Sequence, residues 1–175
     1  PLRRARVLMR FRELMQEHRD ELVHLTCEEH GKTREDAAGS LQYLKRYFRL
    51  GVLSNADRDS LWAASRRLDV QFDALWSAED VGSFKPDRRN FDFMQARLGR
   101  LGVTARQSLH VAASLPHDLV PAAVSGLACA WIDRDGASPQ ARPPGAVPGV
   151  ATGRMDYAFR SVAHLVQAHQ EHLRA

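Results

Sequence analysis

The chain has 175 residues, 44% of them hydrophobic and 26% charged, with a formal net charge of +4. That is the composition of one ordinary globular domain with enough apolar material to bury a core. No apolar run approaches the roughly 20 residues of a membrane-spanning helix, no secretory leader opens the sequence, and two cysteines make no disulfide framework, so a cytoplasmic protein without a membrane partner is expected.

The arginines are dispersed among acids at helical spacing, as in "RRARVLMRFRELMQEHRDE". Such interleaving marks a solvated helix face. With no basic stripe, stacking aromatics or recognition helix, no nucleic-acid partner is expected.

Val7, Leu8, Phe11, Leu14, Met15, Leu22 and Leu25 recur every three or four residues, which predicts one long helix over residues 2–29. "HGKTRED", residues 30–36, ends like a phosphate-binding loop. Such a loop needs a glycine where Thr26 stands and a strand leading in, and a helix leads in instead. Gly31 reads as a helix stop, and Thr33 with Asp36 as the start of a second helix over residues 34–47, with Leu41, Leu44 and Phe48 on one face. His24, Cys27 and His30 are three apart on the first helix. A thiol beside an imidazole can be activated, which makes Cys27 an alternative nucleophile; ordinary surface residues are the plainer reading.

From Tyr47 the pattern changes. "YFRLGVLSN" reads as a buried strand and its loop, followed by a helix over 57–68, a short strand in "FDALWSAEDV", and a helix over 87–100 closed by Gly102. "SLHVAAS" is the next strand, "DLVPAAVSG" a helix, and "ACAWIDR" a further strand. Residues 136–154, rich in Pro, Gly and Ala, form an irregular excursion, and a last helix runs over 160–174 with Ser161 as its cap. Strands alternating with helices predict an α/β fold with a parallel sheet. Trp62, Trp76 and Trp131 are expected in the core. Asp57 and Asp59 are read as capping residues, and His169 and His172 as an adventitious pair.

Two resemblances divide the chain. Residues 1–40, with "EHGKT" the most specific part, resemble an N-terminal helical segment of aldehyde dehydrogenases, especially the CoA-acylating methylmalonate-semialdehyde dehydrogenase branch. In that family the nicotinamide site and catalytic cysteine lie far downstream, so the resemblance implies scaffold and no dehydrogenase activity. From about residue 41 onward, "LSN" (Leu53, Ser54, Asn55), "SAEDVGSFKPDRRNFDFM", "HVAASLPHD" and "GLACAWIDR" resemble the haloacid dehalogenase superfamily, in its type II 2-haloacid dehalogenase-like branch. The expected architecture is thus a chimera: a helical pair over 1–46 joined to a truncated Rossmannoid α/β core over 47–175, with a parallel sheet of about four strands and flanking helices.

By that resemblance Ser54 and Ser114 bind an anion and Asn55 shapes the loop. Lys85 is the fixed cation and Asp118 the acid of the last motif. The expected ligand is a small phosphate, ester or carboxylate. The resemblance also exposes what is missing: nothing in residues 1–46 reads as the family's strand with its nucleophilic Asp, or as the cap that follows it. Ala113, Ser114, Leu115 and Phe91 replace other expected residues, and magnesium keeps only one carboxylate of its usual set, so no cofactor is expected. Weak or absent hydrolysis follows, with a hydrolase recruiting another nucleophile, or a partner-binding module, as alternatives. Loss of a central strand leaves two orphan edges, which predicts either a sheet closed over the gap or a homodimer pairing those edges.

Overall fold

The computed structural model describes residues 34–133 and 155–175. A compact unit spans Glu35–Ala175. The long helix expected over 2–29, with Cys27, lies outside the described residues.

The described elements alternate as expected. Helix α1 (Arg34–Lys45) precedes strand β1 (Gly51–Leu53), helix α2 (Arg58–Leu68) and strand β2 (Ala74–Trp76). A one-turn helix α3 (Ala78–Val81) and helix α4 (Arg88–Arg100) lead to strand β3 (Leu109–Ala112). A π-type turn (Leu115–Leu119) and a short helix α5 (Val120–Val124) connect it to strand β4 (Ala128–Ile132). Strand β5 (Tyr157–Phe159) and helix α6 (Val162–Arg174) complete the unit. No described helix is long and apolar enough to cross a membrane.

Local chemistry sets these boundaries. The Asp57 carboxylate accepts from Ser60 N at 2.8 Å and starts α2, satisfying an amide that the first turn leaves without a partner. Ser77 and Asp80 cap α3 reciprocally, Ser77 Oγ accepting from Asp80 N and Asp80 Oδ2 from Ser77 N. Gly82 then ends it at φ 70°, a left-handed conformation without cost for a residue lacking Cβ. Ser161 Oγ accepts from His164 N at 3.1 Å, as the sequence predicts for the last helix.

All strand pairs are parallel, but they form two sheets, β1–β2 and β3–β4–β5. The single sheet of about four strands is therefore corrected in two respects. Tyr157–Phe159 adds a fifth strand at the far edge of β4, and β1 and β3 do not close on each other. The Leu53 carbonyl at the end of β1 accepts from the Lys85 ammonium instead of from a β3 amide.

Helices lie on both sides of the strands. Leu53, Phe91, Met94, Leu119, Ala122, Leu127 and Cys129 form one core cluster, combining β1, α4, the π-type turn, α5 and β4. Leu44, Ala130, Leu165 and Val166 form the other, with α1 and α6 against the opposite face of β4. Successive residues of β4 point to opposite faces, so Cys129 enters one cluster and Ala130 the other. A Lys45–Asp73 ion pair at 2.5 Å and a bond from Leu50 N to Asp73 Oδ2 at 2.6 Å tie the end of α1 to the loop before β2. One expected core residue is displaced: Trp62 is 49% exposed, and Phe48, expected on one face of the second helix, is 47% exposed. Phe48 lies beyond the end of α1, and Trp62 stands on the outer face of α2, whose buried residue is Leu61.

Candidate functional site

The carboxyl ends of β1 and β3 carry the residues singled out from the sequence. The chain leaves β1 at Leu53, and Ser54 N still donates to Trp76 O at 2.9 Å. Ser54 Oγ accepts from Ala56 N at 3.1 Å, which leaves the hydroxyl proton free to donate. Asn55 reaches thirty residues ahead: its Nδ2 donates to Lys85 O at 3.0 Å, and its Oδ1 accepts from Lys85 N at 2.6 Å. This double bond of side chain to backbone fixes the lysine loop against the end of β1.

Lys85 is held in both directions. Its peptide bond to Pro86 is cis, and Asp87 caps α4 by accepting from Arg89 N at 2.9 Å. The Arg89 side chain beside Asp87 and the amide it accepts from draw that carboxyl down to about 2. The Lys85 ammonium donates to Leu53 O at 2.8 Å and to Asp118 Oδ1 at 2.5 Å. It thereby joins the end of the two-stranded sheet to the turn that follows the three-stranded one. Only 11% of the Lys85 side chain and 13% of the Asp118 side chain remain exposed.

Asp118 sits in the π-type turn, which Ser114 starts by accepting from His117 N at 3.3 Å. Ser114 Oγ also lies 3.1 Å from His117 Nδ1. Ser114 is thus engaged with its own turn and makes no bond to Lys85. Burial alone would raise the Asp118 carboxyl; the nearby His110 and Lys85 outweigh it, and the net displacement is downward.

His110 is the residue that the sequence reading missed. Its Nε2 lies 3.4 Å from Asp118 Oδ1, without the alignment of a hydrogen bond, and its ring stands edge-on to Phe91 at 5.6 Å. The signal was present in "SLHVAAS": alternation along β3 puts His110 on the same face as Ala112, toward the core and the acid.

The cluster offers one carboxylate, one ammonium, one imidazole and several hydroxyl and amide donors. Magnesium takes about six oxygens in near-octahedral geometry. Here the carboxylate is bound by an ammonium and the nearest backbone carbonyl is already an acceptor for it. Among the described residues no three His, Cys, Asp or Glu side chains gather as a metal site. These residues do not fit magnesium.

Solved structures share this fold. A dehalogenase crystal structure is 28% identical with a TM-score of 0.61, covering 76% of this chain and 54% of that one. The fold is haloacid dehalogenase-like. A 2-haloacid dehalogenase from Pseudomonas syringae is similar at 27% identity and a TM-score of 0.53, over 77% of this chain and 53% of that one. A haloacid dehalogenase-type phosphatase from Thermococcus onnurineus is similar at 24% identity and 0.56, over 74% and 54%. The chain spans about half the length of these haloacid dehalogenase-like proteins.

The start of the chain has other relatives. The aldehyde dehydrogenase family profile matches residues 1–61. Malonate-semialdehyde dehydrogenase of Pseudomonas aeruginosa is 50% identical over 42 residues, which are 24% of this chain and 8% of that protein. The chain joins a dehydrogenase-like beginning to a haloacid dehalogenase-like α/β unit.

Proposed function

We propose that residues 47–175 are a haloacid dehalogenase-like hydrolase core that keeps the anion-recognising half of its site and has little or no hydrolytic activity. Residues 1–46 are a dehydrogenase-derived helical segment without dehydrogenase chemistry, and the protein is cytoplasmic. The observation that carries this reading is the Lys85 ammonium, held between Asp118 and the carbonyl of Leu53, the residue that precedes Ser54.

An anion approaching the strand ends meets a cation and a free hydroxyl proton. A phosphate or carboxylate would draw the ammonium from Leu53 O while Asp118 keeps it charged and oriented. Neither Lys85 nor Asp118 serves readily as a replacement nucleophile. The lysine lone pair is protonated in an ion pair, and the carboxylate is occupied by the ammonium and crowded by His110.

Titration with inorganic phosphate, followed by the amide shifts of Ser54, Asn55 and Lys85, is expected to show saturable binding that Lys85→Ala abolishes. Turnover of p-nitrophenyl phosphate and 2-chloropropionate is expected at or near the buffer rate. Clear turnover that survives Lys85→Ala, Asp118→Ala and Cys27→Ala would reject this assignment of roles.

A further inference from the structure

The sequence places Ser-x-x-His at the start of two helical segments, "SLPH" over residues 114–117 and "SVAH" over residues 161–164. Both serines cap their segments in the same way: Ser114 Oγ accepts from His117 N at 3.3 Å and Ser161 Oγ from His164 N at 3.1 Å. A capping hydroxyl accepts through its oxygen, so its proton stays available to a second partner.

The two imidazoles differ in what they offer that proton. His164 Nδ1 accepts from Arg160 N at 3.4 Å, and its ring stands edge-on to Phe159 at 5.7 Å, so its acceptor nitrogen is occupied by the backbone. His117 Nδ1 lies 3.1 Å from Ser114 Oγ. In the tautomer that carries its proton on Nε2, this nitrogen accepts the hydroxyl proton.

The residue between them sharpens the pairing. A capping oxygen chooses between the amides two and three positions on. Pro116 has no N–H, so Ser114 Oγ turns to His117, whose side chain comes with its amide. The oxygen is thereby held as an activated nucleophile is held. Its proton faces a base, and the His117 amide stabilises the negative charge that builds as the proton leaves. Ser114 is half-buried and His117 exposed, so a reagent reaches both.

We propose that Ser114 and His117 form a nucleophile–base pair that takes an acyl group from activated carboxylic esters. The Ser114 oxygen attacks the carbonyl carbon as its proton passes to His117 Nδ1. The bond from that carbon to the leaving oxygen then breaks, and the imidazolium returns the proton to the departing oxygen. The products are an ester on Ser114 and a free alcohol or phenol. The neighbouring carboxylate, Asp118, is engaged by Lys85, so it does not orient the ring as a third member would. A pair without that help suits a leaving group that departs readily, as in an aryl ester. One acyl group is transferred per chain, and no turnover of phosphate esters or haloacids is implied.

The full chain is treated with p-nitrophenyl acetate, and peptide mapping at successive times locates the acetyl group, with Ser161 as the internal reference. Ser114 is expected to react about tenfold faster than Ser161 or more, a modest figure beside the roughly 10²–10⁴-fold contributed by a general base in an active site. His117→Gln keeps the backbone amide that caps the turn, so the fold should hold while the Ser114 rate falls to that of Ser161. Acetylation of Ser114 no faster than of Ser161 overturns the proposal, and that comparison needs no variant. So does a Ser114 rate that His117→Gln leaves unchanged, or an acetyl group that settles on the His117 ring in place of Ser114. Phosphate binding is read at Ser54, Asn55 and Lys85 and acyl transfer at Ser114, so each can fail alone.

Discussion

Strands β3 and β4 lie side by side with similar apolar sequences, "LHVA" and "ACAWI", yet they sit in different surroundings. Cys129 and Ala130 of β4 are fully buried, because neighbouring strands flank β4 on both sides and each face carries a core cluster. In β3, Leu109 and Val111 stay largely exposed, because one edge and one face have no cover among the described residues. The lesson is that an apolar run specifies a strand, while its neighbours decide how much that strand contributes to stability.

Substitutions can break this contrast, and their expected effects fall in a definite order. Phe91 is fully buried beneath both sheets. Phe91→Ala should cost about 3–5 kcal/mol by cavity formation, read as a lower urea midpoint. A loss below about 1 kcal/mol would mean that the two halves are not held by a common floor.

The ion pair comes next. Lys85→Met leaves Asp118 partly buried without its ammonium and should cost roughly 2–3 kcal/mol, toward the lower end for a pair that keeps some exposure. Lys85→Met combined with Asp118→Leu should recover much of that loss. The pH dependence has a definite sign. Asp118 titrates lower in the folded chain than in the unfolded one. Its contribution is full above the unfolded carboxylate value and is lost as pH falls through the folded value. Asp118→Asn should therefore flatten the acid limb of a stability–pH curve and leave the alkaline limb alone.

Ser161→Ala removes the cap of α6 and should cost about 1 kcal/mol in the same denaturation assay. The smallest effect belongs to the exposed edge: Val111→Thr should change stability by no more than about 0.5 kcal/mol. A large loss there would show that β3 is covered after all. Cys129 supplies a chemical counterpart, since burial and then the Asp156 charge push its thiol up to about 11. Peptide mapping after treatment with an alkylating agent at pH 8 should find Cys129 unlabelled until the chain unfolds.

The sequence carries the local part of this structure. Alternation, capping residues and glycines locate most of the described helices and strands to within a few residues, because those signals act through neighbouring backbone groups. Strand β5 escaped because three residues after a Pro-Gly-rich stretch give too short a pattern to read. Trp62 was misjudged because aromatic character does not tell which face of α2 is covered. The splitting of the sheet into two has no local signal at all.

The candidate site shows the same division. Ser54, Asn55, Lys85 and Asp118 come from a motif pattern, and the structure links Asn55 to Lys85 and Lys85 to Asp118. Ser114 bonds within its own turn. The approach of His110 to Asp118 depends on a strand and a turn meeting in space, and spacing alone does not encode it. Cys27 lies outside the described residues.

Trp131 Nε1 donates to Ala113 O at 3.2 Å, so its indole is bonded at the point where β3 gives way to the turn bearing Asp118. Trp76 ends β2 in the other sheet, and Trp62 faces solvent. The chain thus carries its own optical gauge, with one half-shielded fluorophore on each half of the divided sheet and a third, solvent-exposed one as background. Replacing Trp62 with phenylalanine would leave two emitters, one reporting on each sheet.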